Sequence, residues 1–144
     1  MSTIFTKIIK GEVPAAFVYR DDLVSAFMDV QPINPGHVIV VTNQEISCLA
    51  ELDEETGIHL FKTAHRIALA LRKSELKCEG VNIFLADGEA AEQNICHVHI
   101  HVFPRFIGDN CQWKFKKDYS DITNQSELYQ TATSISKALN ISTF

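Results

Sequence analysis

His97, His99 and His101 alternate with Val98, Ile100 and Val102. Alternate residues of a β-strand point to one face, so an extended run sets three imidazoles in a row and turns the aliphatic residues into a core. In a helix, side chains two apart diverge. Three readings of the row compete. It is a polar face whose rings are solvated or hydrogen-bonded; it is a metal site, since neutral imidazole ligates zinc well; or it is a nucleophile with two helpers. In the last case a ring nitrogen attacks phosphorus and splits one hard step into two through a covalent intermediate. That nitrogen must be unprotonated and aimed by a hydrogen bond on the other one. The row alone does not separate the last two readings. The only carboxylate near it in sequence is Glu92, which argues against a divalent-cation mechanism. Pro104, which cannot donate to a ladder, is expected to end the strand.

The elements that would hold this row follow from the pattern of the chain. Residues 3–10 suit a short helix capped by Ser2 or Thr3, stopped at Gly11, with Ile4, Phe5 and Ile8 on one side. Residues 16–20 and 23–29 read as a hairpin turning at Asp21-Asp22. Asp29, at the end of an apolar strand, is a turn residue or an acceptor for a ligand's hydroxyls. After the turn formers around Asn34-Pro35-Gly36, residues 37–42 carry the unbroken apolar run of a strand buried on both faces, with His37 at its mouth. Residues 53–75 form a long helix: Asp53 caps it, Glu54 and Glu55 sit in its first turn, and Leu60, Ala64, Ala68 and Leu71 recur at helical spacing. Residues 81–85 are a further strand. The polar loop 86–94 leads into the histidines and suits an anion cradle of backbone N–H groups. After Arg105 an irregular segment carries Trp113 between lysines. A terminal helix over 125–139 follows, with Asn124 and Glu127 placed as a capping pair. Few helices, close strands and no regular strand–helix alternation indicate an α+β fold with a mainly antiparallel sheet.

Composition narrows the function classes. The chain has 144 residues, 46% hydrophobic and 22% charged, which suits one soluble globular domain. A net charge of −5 argues against a general nucleic-acid binder. No apolar stretch is long enough for a bilayer, and none of signal-peptide length follows Met1, so a cytoplasmic location without membrane partners is expected. Cys48, Cys78, Cys96 and Cys111 lack paired spacing and are expected to be reduced thiols. Neither GxxxxGK nor GxGxxG is present.

With these pieces in order, the chain resembles the histidine triad (HIT) family. The signature His-φ-His-φ-His-φ-φ, with φ apolar, is met by His97 to Phe103, followed by Pro104-Arg105. Residues 4–14, Ala26-Phe27-Met28-Asp29-Val30 and Pro35-Gly36-His37-Val38-Ile39-Val40-Val41 resemble the family's N-terminal segment, ribose-binding strand and central strand. The resemblance implies a HIT-like fold: about five antiparallel strands, one long helix packed on them and a short N-terminal helix. It implies a single domain over 1–144, with a core of about 4–105 and a C-terminal extension over 106–144. The implied function is a purine nucleotide-binding hydrolase. It would cleave at the α-phosphate of nucleoside phosphoramidates or dinucleoside polyphosphates through a nucleotidyl-histidine and release AMP or a related monophosphate. His99 would be the nucleophile, and His97 would hold it in the attacking tautomer. His101 would contact the phosphate or leaving group, and His37 would support the row. Gln93 and Asn94 would hold phosphate oxygens, and Asp29 the ribose. Ile4, Phe5, Ile8, Phe27, Met28, Val30 and Ile39 would wall the base pocket. A homodimer is implied, with no cofactor and no metal. Some members hold zinc through an N-terminal Cys-x-x-Cys, where this chain has Thr3 and Thr6.

Two departures set up the competing class. Ala86 replaces an amide that touches phosphate in many members, and Glu92 replaces a glycine. A binding module that senses or sequesters nucleotides with little turnover is the alternative.

Overall fold

A computed structural model describes residues 2–112 and 124–141. The segment around Trp113 lies outside the described residues. The chain divides into two compact units, Met1–Cys111 and Gln112–Phe144.

In the first unit, helix α1 (Ile4–Ile9) is followed by strands β1 (Phe17–Arg20), β2 (Val24–Met28) and β3 (Val38–Thr42). Helix α2 (Glu54–Lys73) comes next, then β4 (Gly80–Phe84) and β5 (His99–Arg105). The five strands form one antiparallel sheet in the order β1-β2-β3-β5-β4. The histidine strand is therefore internal, between β3 and β4.

Side-chain alternation explains the two faces of the sheet. Val24 and Ala26 on β2, Val38 and Val40 on β3, and Ile100 and Val102 on β5 pack with Leu60, Ala64, Ile67 and Leu71 of α2. The opposite face carries Phe27, Ile39 and Val41, covered by Phe5 and Ile8 of α1. The unbroken apolar run of β3 thus reflects burial on both sides. Both helices start as expected: the Thr3 hydroxyl accepts from Thr6 N–H, and the Asp53 carboxylate from Thr56 N–H.

Two expectations about β5 are corrected. Pro104 does not end the strand: it pairs with Val81 of β4, and Arg105 pairs with Gly80. The β3–β5 ladder ends at Val38 opposite Val102, and the Pro104 carbonyl on that side accepts from Asn34 Nδ2 instead. The nitrogen of a strand residue points to the same side as its carbonyl, so proline falls where no ladder donor is needed. His97, expected in the strand, lies in a bend before it. Its N–H bonds to Ile95 O, while the next N–H, of Val98, bonds to Ile46 O outside the sheet.

In the second unit, helix α3 (Gln125–Ile141) starts at Asn124, whose side-chain oxygen accepts from Glu127 N–H.

Candidate active site

Five stretches of the first unit converge on one cavity of about 380 Å³. β5 supplies His99 and His101, the end of β2 supplies Met28 and Asp29, and β3 supplies Ile39. α1 supplies Ile4, Phe5 and Ile8, and the segment entering β5 supplies Asn94 and Ile95. All seven side chains expected at a base line it. So do Val13, Pro14, Ala15 and Gln31, which were missed because a connector and a turn carry no periodicity. No lysine or arginine is among its described lining residues.

The hydrogen bonds fix the tautomer of every ring. His99 Nδ1 donates to the His97 carbonyl at 2.6 Å, which leaves Nε2 with its lone pair. His97 Nε2 donates to the Thr42 carbonyl at 2.7 Å, so its Nδ1 is the acceptor facing Thr3 Oγ1 at 3.1 Å. His37 Nδ1 accepts from Ile33 N–H at 3.0 Å, so its proton sits on Nε2 and goes to His101 Nδ1 at 2.9 Å. His101 therefore carries its own proton on Nε2. The cavity is lined by one imidazole with an acceptor nitrogen (His99) and one with a donor (His101). This is the pairing a nucleophile and an oxyanion donor require.

Burial keeps the row neutral. It lowers the proton affinity of His37, against the opposing pull of Asp29, and that of His97 and His99. His101 is pushed down to about 4 by burial first, then by His99 and His37. The Phe5 ring meets His99 edge-on at 4.9 Å between centroids and Phe27 at 5.6 Å, tying His99 to the apolar wall.

One carboxylate does stand beside the histidines, which corrects the expectation drawn from sequence proximity. Asp29 Oδ1 accepts from Gln31 N–H, and Oδ2 lies 3.5 Å from His37 Nε2. Asp29, His37 and His101 place one ligand atom each within 4.8 Å of one another. Their protons argue against a cation there. Ile33 N–H claims the His37 Nδ1 lone pair, so a metal on Nε2 would require either loss of that bond or an imidazolate. Thr3 and Thr6 likewise do not fit a structural zinc, because their hydroxyls are poor substitutes for thiolates and already bond to His97 and Glu45.

Gln93 is placed apart from the cavity. Its Oε1 accepts from Gly88 N–H at 2.8 Å, and its Nε2 donates to Ser47 O at 3.0 Å. The loop expected to cradle an anion bonds to itself instead, with Ala91 and Gln93 N–H on Gly88 O and Glu92 N–H on Glu89 O. Glu92 sits in the left-handed region (φ 64°) that glycine adopts freely. Ala86 is buried, and its side chain has no polar group to offer. Of this loop, Asn94 alone lines the cavity.

The HIT domain model matches residues 10–108. A Bacillus subtilis protein named Protein hit is 34% identical over 139 residues, spanning 94% of this chain and 93% of the relative. The crystal structure of a HIT family member from Bacillus subtilis superposes with a TM-score of 0.85 at 32% identity, covering 95% and 96% of the two chains. An adenosine 5'-monophosphoramidase of Schizosaccharomyces pombe is 30% identical over 105 residues, 73% of this chain and 75% of that enzyme.

Proposed function

The chain belongs to the histidine triad family, and from that premise we propose that it hydrolyses AMP-type conjugates at the α-phosphate, with His99 as the nucleophile. The observation that carries this reading is the bond from His99 Nδ1 to the His97 carbonyl, on a ring that lines the cavity. It leaves Nε2 unprotonated and aimed. In the first step the Nε2 lone pair forms a bond to phosphorus. The bond to the leaving amine or phosphate breaks with its electron pair, and that group takes a proton from solvent. The nucleotidyl-imidazolium keeps its Nδ1 proton on the His97 carbonyl. Water then attacks phosphorus, its proton goes to solvent, and the pair of the N–P bond returns to His99. His101 Nε2–H donates to a phosphoryl oxygen throughout, with Asn94 beside it. The apolar wall takes the purine, and Asp29 Oδ2 takes the ribose hydroxyls.

The similarity to a monophosphoramidase supports a phosphoramidate substrate, as does a described lining without cations to neutralise a polyphosphate chain. A second reading, a nucleotide-binding module with little turnover, is favoured by Ala86 and by the commitment of the Gln93 amide to Gly88 and Ser47. The proposal extends to a homodimer. β4 is an edge strand, and Ile83 on it is 40% exposed; α2 also exposes the apolar residues Ile58, Phe61 and Leu69. Among the described residues no helix is long and apolar enough to cross a membrane, and all four cysteines are free thiols, which suits the cytoplasm.

The test is release of AMP from adenosine 5'-phosphoramidate and diadenosine polyphosphates, in EDTA, by the wild type and His99→Ala. The expected result is turnover lost about 10³-fold or more in the variant, with AMP still bound. Full activity in His99→Ala, or loss of wild-type activity in EDTA, would overturn the assignment. AMP binding with negligible wild-type turnover would establish the binding module.

A further inference from the structure

We propose that Glu45, acting through Thr3 and Thr6, is a positioning residue for the nucleophile: it latches the cap of α1 to the His97 ring and so fixes the carbonyl that sets the tautomer of His99. The inference rests on the role proposed above for His99, but not on which substrate is cleaved.

His97 lies before β5, so no ladder partner holds its carbonyl in place. Its ring does that work. The residue is fully buried, and both ring nitrogens are engaged, Nε2 with Thr42 O and Nδ1 with Thr3 Oγ1. The direction of each proton follows. Since Nε2 must donate to a carbonyl, Nδ1 is an acceptor, and the Thr3 hydroxyl must point its hydrogen at it. That hydroxyl in turn accepts from Thr6 N–H at 3.3 Å. The Thr6 hydroxyl, 3.5 Å away, would compete for the Thr3 proton if it were free to rotate. It is held by Glu45 Oε1 at 2.6 Å, an acceptor-only carboxylate that also receives Thr3 N–H at 2.8 Å. Glu45 therefore orients both hydroxyls from one oxygen. The Thr6 hydroxyl, and then Thr3 N–H, hold its carboxyl below the usual range, in keeping with this load.

The latch joins two parts of the site that are remote in sequence. Thr3 caps α1, which carries Ile4, Phe5 and Ile8 into the cavity. His97 carries the carbonyl under His99. One carboxylate on the loop after β3 thus sets a wall of the nucleotide pocket and the aim of the attacking nitrogen together. Misplacing a reacting group by about 1 Å costs on the order of 10²-fold in rate, so the latch has leverage without touching substrate.

The experiment compares wild type with Glu45→Ala, Glu45→Gln, Thr3→Val and Thr3→Ser. It uses nitrogen-15 NMR of the histidine rings alongside kcat and KM for the AMP conjugate, with thermal melting to establish folding. In the wild type His97 should be protonated at Nε2 and His99 at Nδ1. Glu45→Ala and Thr3→Val should give His99 a population protonated at Nε2 and lower kcat about 10- to 100-fold, whereas Thr3→Ser should restore both. Glu45→Gln keeps an acceptor oxygen and should fall between; it also serves if the larger changes unfold the chain. Wild-type ring tautomers and kcat in folded Glu45→Ala and Thr3→Val would overturn the latch. The ring spectra do not require turnover, so a wild type with the stated tautomers and no activity would count against the proposed reaction and leave the latch standing.

Discussion

Four imidazoles share one small region, and each keeps a single proton because the groups around it are acceptors and donors in alternation. The two decisive partners are backbone groups, the His97 carbonyl under His99 and the Ile33 N–H on His37. This is why the row was legible in the sequence as chemistry while the assignment of roles was not. Three alternating histidines announce themselves, but a main-chain donor four residues from His37 does not. It is also why the sequence did not show that the group of His97 bonded to His99 is its backbone carbonyl rather than its ring. Gln93 illustrates the converse: a polar residue next to the site by sequence is bound into its own loop. The neutral row has a consequence for stability. In the unfolded chain a histidine titrates near about 6.5, whereas His101 in the fold is lowered to about 4. Between those values the unfolded state binds more protons, so stability is fully present above the unfolded value and is lost as pH falls across this window. His37, His97 and His99 shift in the same direction. Asp21 and Asp109, both lowered, add their losses at more acid pH. Urea unfolding between pH 7.5 and 5 should therefore show a falling midpoint, and His101→Asn should flatten part of that slope; equal slopes would mean that His101 is not lowered in the fold.

At the level of elements, periodicity carried most of the reading. The long helix, the doubly buried β3 and the hairpin before it appear where their patterns put them, because burial of alternating or helically spaced residues is the same force that writes the pattern. What escaped was decided by neighbours rather than by local sequence. Pro104 continues a strand because β3 has already ended beside it, and residues 13–15 line the cavity because α1 folds over the sheet. The turn between β2 and β3 is the element most exposed to a single change. Gly36 has φ of 105°, and a Cβ there would stand 2.8 Å from Leu76 Cδ1 and 3.2 Å from Pro104 Cγ. It immediately precedes His37. Gly36→Ala should cost about 1–2 kcal/mol from the left-handed backbone alone. The displaced turn should also weaken the Ile33–His37 bond, seen as a changed His37 ring resonance; a variant as stable as wild type would contradict this account of the turn.

On the scale of the whole molecule, one antiparallel sheet carries a hydrophobic face under α2 and a chemical face under α1. Its edges are β1 and β4, and β4 sits next to the histidine strand. If two copies join there, light scattering should report twice the chain mass of 16.2 kDa. Ile83→Lys should return the protein to one copy, since a lysine on an edge strand opposes further pairing; a wild type that stays monomeric at all concentrations would remove the dimer from the proposal. The position of β5 has a further bearing. His99 opens the strand and pairs with Val41 of β3 alone, whereas His101 has β3 on one side and β4 on the other, and the core of a sheet is the part that opens last. The His101 end of the row is thus held by the sheet itself, and the His99 end leans on the contacts around it. Fraying at α1 would free the His97 ring from the Thr3 hydroxyl and open the cavity wall at once, so a molecule that loosens there loses its grip on a ligand and the setting of the His99 ring in a single event.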